Sequence, residues 1–135
     1  MPTNIKAFLA LEYTSLVIAA AVCLEQLPSM SKVATPLGGA TYVIITESIF
    51  FLAQFALISM AGFGRRNWAR WFLLAWFAVD LAIFAISVLL AVHSTHTGFS
   101  DWAVGTVQLL LDSAALCLVF SKSTRPWFET NKIVS

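Results

Sequence analysis

Apolar residues fall in four long runs, 7–27, 40–62, 71–92 and 102–120, each broken by one or two acidic residues. A helix rises about 1.5 Å per residue and needs about 20 apolar residues to cross the hydrocarbon layer of a bilayer. Each run is long enough. Membrane-spanning strands would alternate over about ten residues; these runs are continuous, so the pattern predicts helices. Pro28, Pro36, Gly38 and Gly39 predict a first loop, Gly62 and Gly64 end the second helix, and 93–101 with Gly98 makes the third connection. No linker is long enough to separate domains, so residues 1–135 are expected to form a single integral membrane domain.

Polar and small residues recur at helical spacing inside the runs. Glu12, Ser15, Ala19 and Gln26 share a stripe on the first helix. Glu47, Gln54 and Ala61 repeat every seven on the second, Asp80 and Ser87 are seven apart on the third, and Gly105, Gln108, Asp112 and Ala115 line one face of the fourth. Steps of three, four and seven stack side chains on one helix face. Gln54, Ser87 and Gln108 are therefore expected to form a polar stripe for helix contacts. The third helix also carries Ala75, Ala78, Ala82 and Ala85, a small-residue face that permits close helix approach. The reading favoured for it is packing inside the bundle, with a dimer contact as the alternative.

Composition sharpens the class. Of 135 residues, 59% are hydrophobic and 11% charged, against roughly 25% charged in soluble domains. Mean hydropathy is +0.84. Such a chain cannot cover a water-exposed surface with polar groups, which excludes an ordinary soluble enzyme or a disordered tail. The net charge of +1 offers no basic surface for nucleic acid. The expected fold is all-α, a four-helix transmembrane bundle running up-down-up-down.

Basic residues set the expected orientation. Lys6 precedes the first helix, Arg65, Arg66 and Arg70 lie between the second and third, and Lys122, Arg125 and Lys132 follow the fourth. Only Lys32 falls on the other side. The positive-inside rule then places both termini in the cytoplasm. Trp68, Trp71 and Trp127 accompany the basic residues, as interfacial indoles do. Ala19 to Ala21 resembles a signal cleavage site, but Glu12 inside the apolar run argues against cleavage.

The acids inside the spans carry the candidate chemistry. A charge at the bilayer centre costs about 2.5–3.5 kcal/mol on insertion scales, so such residues face protein or water. Asp80 and Asp112 fall near mid-membrane, Glu12 nearer the cytoplasm and Glu47 nearer the outside. No Lys or Arg lies at those depths. Asp80, Asp112, Glu47 and Glu12 are thus candidate sites on a proton or cation pathway; the competing reading is interhelical glue, worth about 0.6 kcal/mol per bond.

Other chemistry is sparse. His93 and His96 are spaced H-x-x-H beside Asp101, but two histidines are the whole complement, and solvated loop residues are the expected outcome. Two cysteines, Cys23 and Cys117, lie at opposite depths and too far apart to bridge. Phosphate loops and nucleophile motifs are absent. No catalytic residue, metal or cofactor is expected.

The turn Gly64 to Trp71 and the exit Phe120 to Phe128 resemble those of small four-span bacterial inner-membrane proteins of unknown function. The resemblance covers some 20 residues and implies no activity. Small multidrug resistance transporters are similar in architecture only. They carry a proton-exchanging carboxylate in their first helix, where Glu12 stands here, but they avoid further membrane acids, and their glycine-rich third helix has no counterpart. The leading expectation is a non-enzymatic membrane protein acting through helix contacts, with itself or with a larger membrane partner. The alternative is a proton-coupled transporter of a small molecule or cation.

Overall fold

The computed structural model describes residues 1–92 and 99–129, with side chains for 1–90 and 102–129. The described residues are helical, without strands. The elements are α1 (Thr3–Val33), α2 (Gly39–Gly62), α3 (Asn67–Val92), α4 (Phe99–Val119) and a short α5 (Arg125–Glu129). Four of these helices are long and apolar enough to cross a membrane. Side chains such as Val17, Ile49, Leu52, Leu89 and Leu110 stand exposed on their outer faces, where a bilayer and not water is the favourable medium.

Helix boundaries differ from the sequence expectation at α1. Pro28, read as part of a loop, lies inside the helix, which continues to Val33. Proline removes one hydrogen bond and crowds the preceding turn. Here that turn is exposed at Leu24 and Glu25, and Ser31 Oγ donates to Pro28 O at 3.0 Å. The chain then turns through a single 3-10 turn, Thr35–Leu37, into Gly38 and Gly39, whose φ values of 114° and 60° suit glycine. Arg65 also has a positive φ, 52°, between α2 and α3. Its side chain is held: Nε donates to Trp127 O at 2.8 Å and the guanidinium lies 4.4 Å from the Trp127 ring centre.

α1 packs extensively against both α2 and α4, while α3 meets α2 and α4 over shorter stretches. The apolar core joins the first third of α1 (Ile5, Phe8, Leu9), the end of α2 (Ile58, Ala61), the start of α3 (Ala69, Leu73) and the end of α4 (Ala115, Leu116, Val119), with Phe128 of α5. Gly62 allows Leu9 to press against α2: an added Cβ would fall 2.8 Å from Leu9 Cγ. Polar contacts join the same segments. Asn4 Nδ2 donates to Ser123 Oγ at 2.6 Å, Trp127 Nε1 to Gly62 O at 3.2 Å, and Tyr13 shares a hydrogen bond with Ser59 at 3.0 Å.

Dense packing stops there. Toward the start of α2 and the middle of α3 and α4, most of the small stripe of α3 turns outward: Ala78, Ala82 and Ala85 are exposed, while Ala75, also exposed, borders the open space between the helices. The expectation that it packs inside the bundle is not met. The physical reason is rotation. α3 turns its bulkier face, with Trp76, Asp80 and Phe84, toward the other helices and leaves Ala78, Ala82 and Ala85 outside.

Candidate functional site: an acid-lined cavity

The inward face of α3 stands off from its neighbours and leaves a cavity of about 780 Å³. Its wall follows from helical spacing. Glu47, Phe50, Phe51 and Gln54 come from α2; Trp76, Asp80, Ile83 and Phe84 from α3; Gly105, Gln108, Leu109 and Asp112 from α4; α1 adds Ala19. Each set steps by three or four, so each helix presents one face. A second, small cavity is lined by Gln54, Trp76, Asp80 and Asp112, which it shares with the first, and by Glu12 and Leu116. The four acids singled out in the sequence are thereby placed along two adjoining spaces.

Their surroundings differ. Glu12 is 3% exposed and Asp112 8% exposed. Asp80 and Glu47 are half-buried. Glu12 and Asp80 each lie within electrostatic range of Asp112. Ser15, fully buried one turn after Glu12, faces Asp112. Ser15 Oγ is a hydrogen-bond donor toward the Asp112 carboxylate, and neither it nor Asp112 Oδ1 has any other hydrogen-bond partner among the described residues. Glu47 lies beside Cys23 of α1. Among the described residues, no Lys or Arg lines either cavity.

The amides and the hydroxyl part company. Gln54 and Gln108 line the cavity with the acids. Ser87 is exposed, and its Oγ donates to Ile83 O at 2.8 Å on its own helix. Gln26, at the far end of the α1 stripe, is exposed. His93 and His96 lie outside the described residues. No group of three His, Cys, Asp or Glu close enough to hold a metal occurs among the described residues.

Sequence reasoning missed the aromatic wall. Trp76 and Phe84 stand four residues before and after Asp80, and Phe50 and Phe51 lie three and four after Glu47. The spacing that marked Gln54 and Ser87 marks these residues too. Trp76 and Phe50 meet edge-to-face across α2 and α3, with ring centres 5.7 Å apart. Phe84 packs similarly on Trp102 at 5.8 Å and fills the space beside Gly105, where an added Cβ would sit 2.8 Å from its ring. The result is a concave site with apolar walls and a few convergent polar groups, the usual make-up of a small-molecule pocket.

The four spans define a small multi-pass membrane protein. Comparison with family models, curated proteins and solved structures finds no match.

Proposed function

We propose that this chain is a proton-coupled transporter of a small molecule or cation in a cell inner membrane, with no enzymatic activity of its own. One observation carries the reading: Glu47, Asp80 and Asp112 line a single cavity of about 780 Å³ with no Lys or Arg among its described lining residues, and a second, narrow space extends from Asp80 and Asp112 to Glu12. Glue would need the acids paired to one another or to the amides. The larger space suits water or a ligand, and the smaller, about 10 Å³, is a narrow gap with room for one water at most. In the proposed cycle Asp80 and Asp112 bind the cation or a proton in turn, Glu47 is the outer relay and Glu12 the inner one.

The proposal takes the helices to run up-down-up-down with both termini cytoplasmic. Two kinds of observation support it. Lys6, Arg65, Arg66, Arg70, Lys122 and Arg125 flank the spans on one side by sequence. Contacts join the start of α1 to the end of α4 (Asn4 with Ser121 and Ser123) and the end of α2 to α5 (Gly62 with Trp127). In this orientation the packed core closes the cytoplasmic half and the cavity occupies the outer half.

The test uses proteoliposomes holding a pH-sensitive dye, with sodium and tetraphenylphosphonium as probe cations. A proton flux triggered by a probe, and abolished by Asp80→Asn or Asp112→Asn, is expected. Absence of flux with the unmodified protein for both probes counts against transport. Flux that survives both changes removes these two residues from the pathway.

Action through helix contacts has one observation in its favour, the outward small stripe of α3. It predicts self-association or a larger membrane partner. In a chain with Cys23 and Cys117 replaced by Ser, an Ala82→Cys protein in vesicles would cross-link to itself readily. Monomers alone would set the self-association form of this reading aside.

A further inference from the structure

The acids set the sign of what the larger cavity would hold, and its size and walls set the kind. Calcium or magnesium takes about six or more oxygen ligands at roughly 2.0–2.6 Å. No three of the described His, Cys, Asp and Glu residues stand close enough to hold a metal ion. The space of about 780 Å³ is also far larger than a bare ion fills; pockets for drug-sized molecules measure about 300–1,000 Å³. Its polar groups are Glu47, Asp80, Asp112, Gln54 and Gln108. Carboxylates and amide oxygens accept hydrogen bonds, and no Lys or Arg among the described lining residues competes for them.

Aromatic rings make up much of the remaining wall. Phe50, Phe51, Phe72, Trp76 and Phe84 all line the cavity. Trp76 and Phe84 lie one turn before and one turn after Asp80 on the same face of α3. Each of the two is steadied by a ring of another helix: Trp76 by Phe50, with centres 5.7 Å apart, and Phe84 by Trp102 at 5.8 Å. A carboxylate flanked by aromatic rings recognises an onium group, because the carboxylate supplies the opposite charge and the ring faces attract a weakly hydrated cation. The cavity is also unsealed on an apolar side. Phe50 of α2 and Phe72, Val79 and Ile83 of α3 line it, yet each is more than half exposed. Among the described residues no helix covers that side, so in a bilayer it borders hydrocarbon.

We infer that the cavity takes a monovalent organic cation carrying apolar groups, with its charge beside Asp80 and its apolar body against Trp76 and Phe84. Apolar groups on the ligand match both the rings and the unsealed side, and a hydrated inorganic ion matches neither. As a statement about substrate this rests on the transport reading; as a statement about binding it has its own test.

The experiment measures equilibrium binding to the purified full chain in detergent micelles by isothermal titration, with three probes. Tetraphenylphosphonium is the organic cation, tetraphenylborate has the same shape and the opposite charge, and sodium has charge without apolar groups. Saturable binding of tetraphenylphosphonium alone is expected. Trp76→Leu is expected to weaken it about tenfold, and Trp76→Phe, which keeps a ring in place, no more than about threefold. Should Trp76→Leu fail to fold, Phe84→Leu reads the same loss at the other ring. Equal binding of the phosphonium and the borate overturns the inference, since it would reflect apolar partition alone. So does an affinity that leucine at either position leaves unchanged. The two readings also fail differently. Phosphonium binding without probe-driven flux in vesicles supports the site and counts against transport; sodium-driven flux without phosphonium binding supports transport and overturns the site.

Discussion

Single side chains in this protein do two separable jobs, and Thr124 and Ser15 show the contrast. Both are fully buried hydroxyls. Thr124 Oγ1 reaches Val119 O at the end of α4, where helical C=O groups lack partners, and Ser121 O just beyond it. Thr124→Val keeps the shape and removes the hydrogen bond, so it is expected to destabilise the fold by about 1–2 kcal/mol, read as a lower midpoint in detergent unfolding. Among the described residues, Ser15 Oγ has only the Asp112 carboxylate as a partner. Ser15→Ala removes a buried hydroxyl that ties no two helices by backbone contact and is expected to leave that midpoint little changed. A hydroxyl with no structural return beside Asp112 serves the carboxylate instead, so the same substitution should reduce probe-driven proton flux. A drop in both stability and flux would mean that Ser15 is merely a packing residue.

At the scale of elements, close approach is bought at two glycines with different consequences. Alanine is favoured over glycine in a helix by about 1 kcal/mol, whereas overpacking a core costs about 1–3 kcal/mol. Gly62 faces Leu9, which is 7% exposed and fixed in the core, so the clash outweighs the propensity gain. Gly62→Ala is expected to lower the unfolding midpoint. Gly105 faces the Phe84 ring, which borders the cavity and has room to swing into it. Gly105→Ala is expected to keep stability near that of the unmodified chain and to weaken cation binding by narrowing the pocket. Equal destabilisation by the two changes would show that Phe84 is as confined as Leu9.

Element boundaries also show what the sequence made legible. The four spans could be read because an apolar run of about 20 residues has few other uses. The faces could be read because Glu47 and Gln54, or Gln108 and Asp112, keep helical spacing. Pro28 could not be placed, since a proline near an exposed helix end is penalised less than one in a packed interior, and α1 runs past it. The rotation of α3 was hidden as well. Its alanine face and its Asp80 face were both plausible interiors, and the choice rests on how Trp76 and Phe84 pack against other helices, which spacing along one chain does not encode. The same holds for the cavity: stripes reveal which residues point together, not how much space remains between them.

For the whole molecule, the division into a packed half and an open half gives the acids a linear order. Glu47 lines only the larger cavity, Asp80 and Asp112 line both, and Glu12 lines only the smaller. On the proposed transport reading, a proton entering from one side passes Asp80 and Asp112 as a connected pair, and both are required for one step. Residues acting as a unit are not additive when removed. Asp80→Asn and Asp112→Asn are each expected to abolish most probe-driven flux, and the double substitution to be no worse than either alone. Two independent pathways would instead give partial, multiplying losses. Glu12→Gln supplies the directional check, since it blocks only the inner step: probe binding measured in detergent should persist while net flux across vesicles is lost. If binding and flux fell together, Glu12 would belong to the same binding unit as Asp112, and the ordered series would reduce to a single cluster.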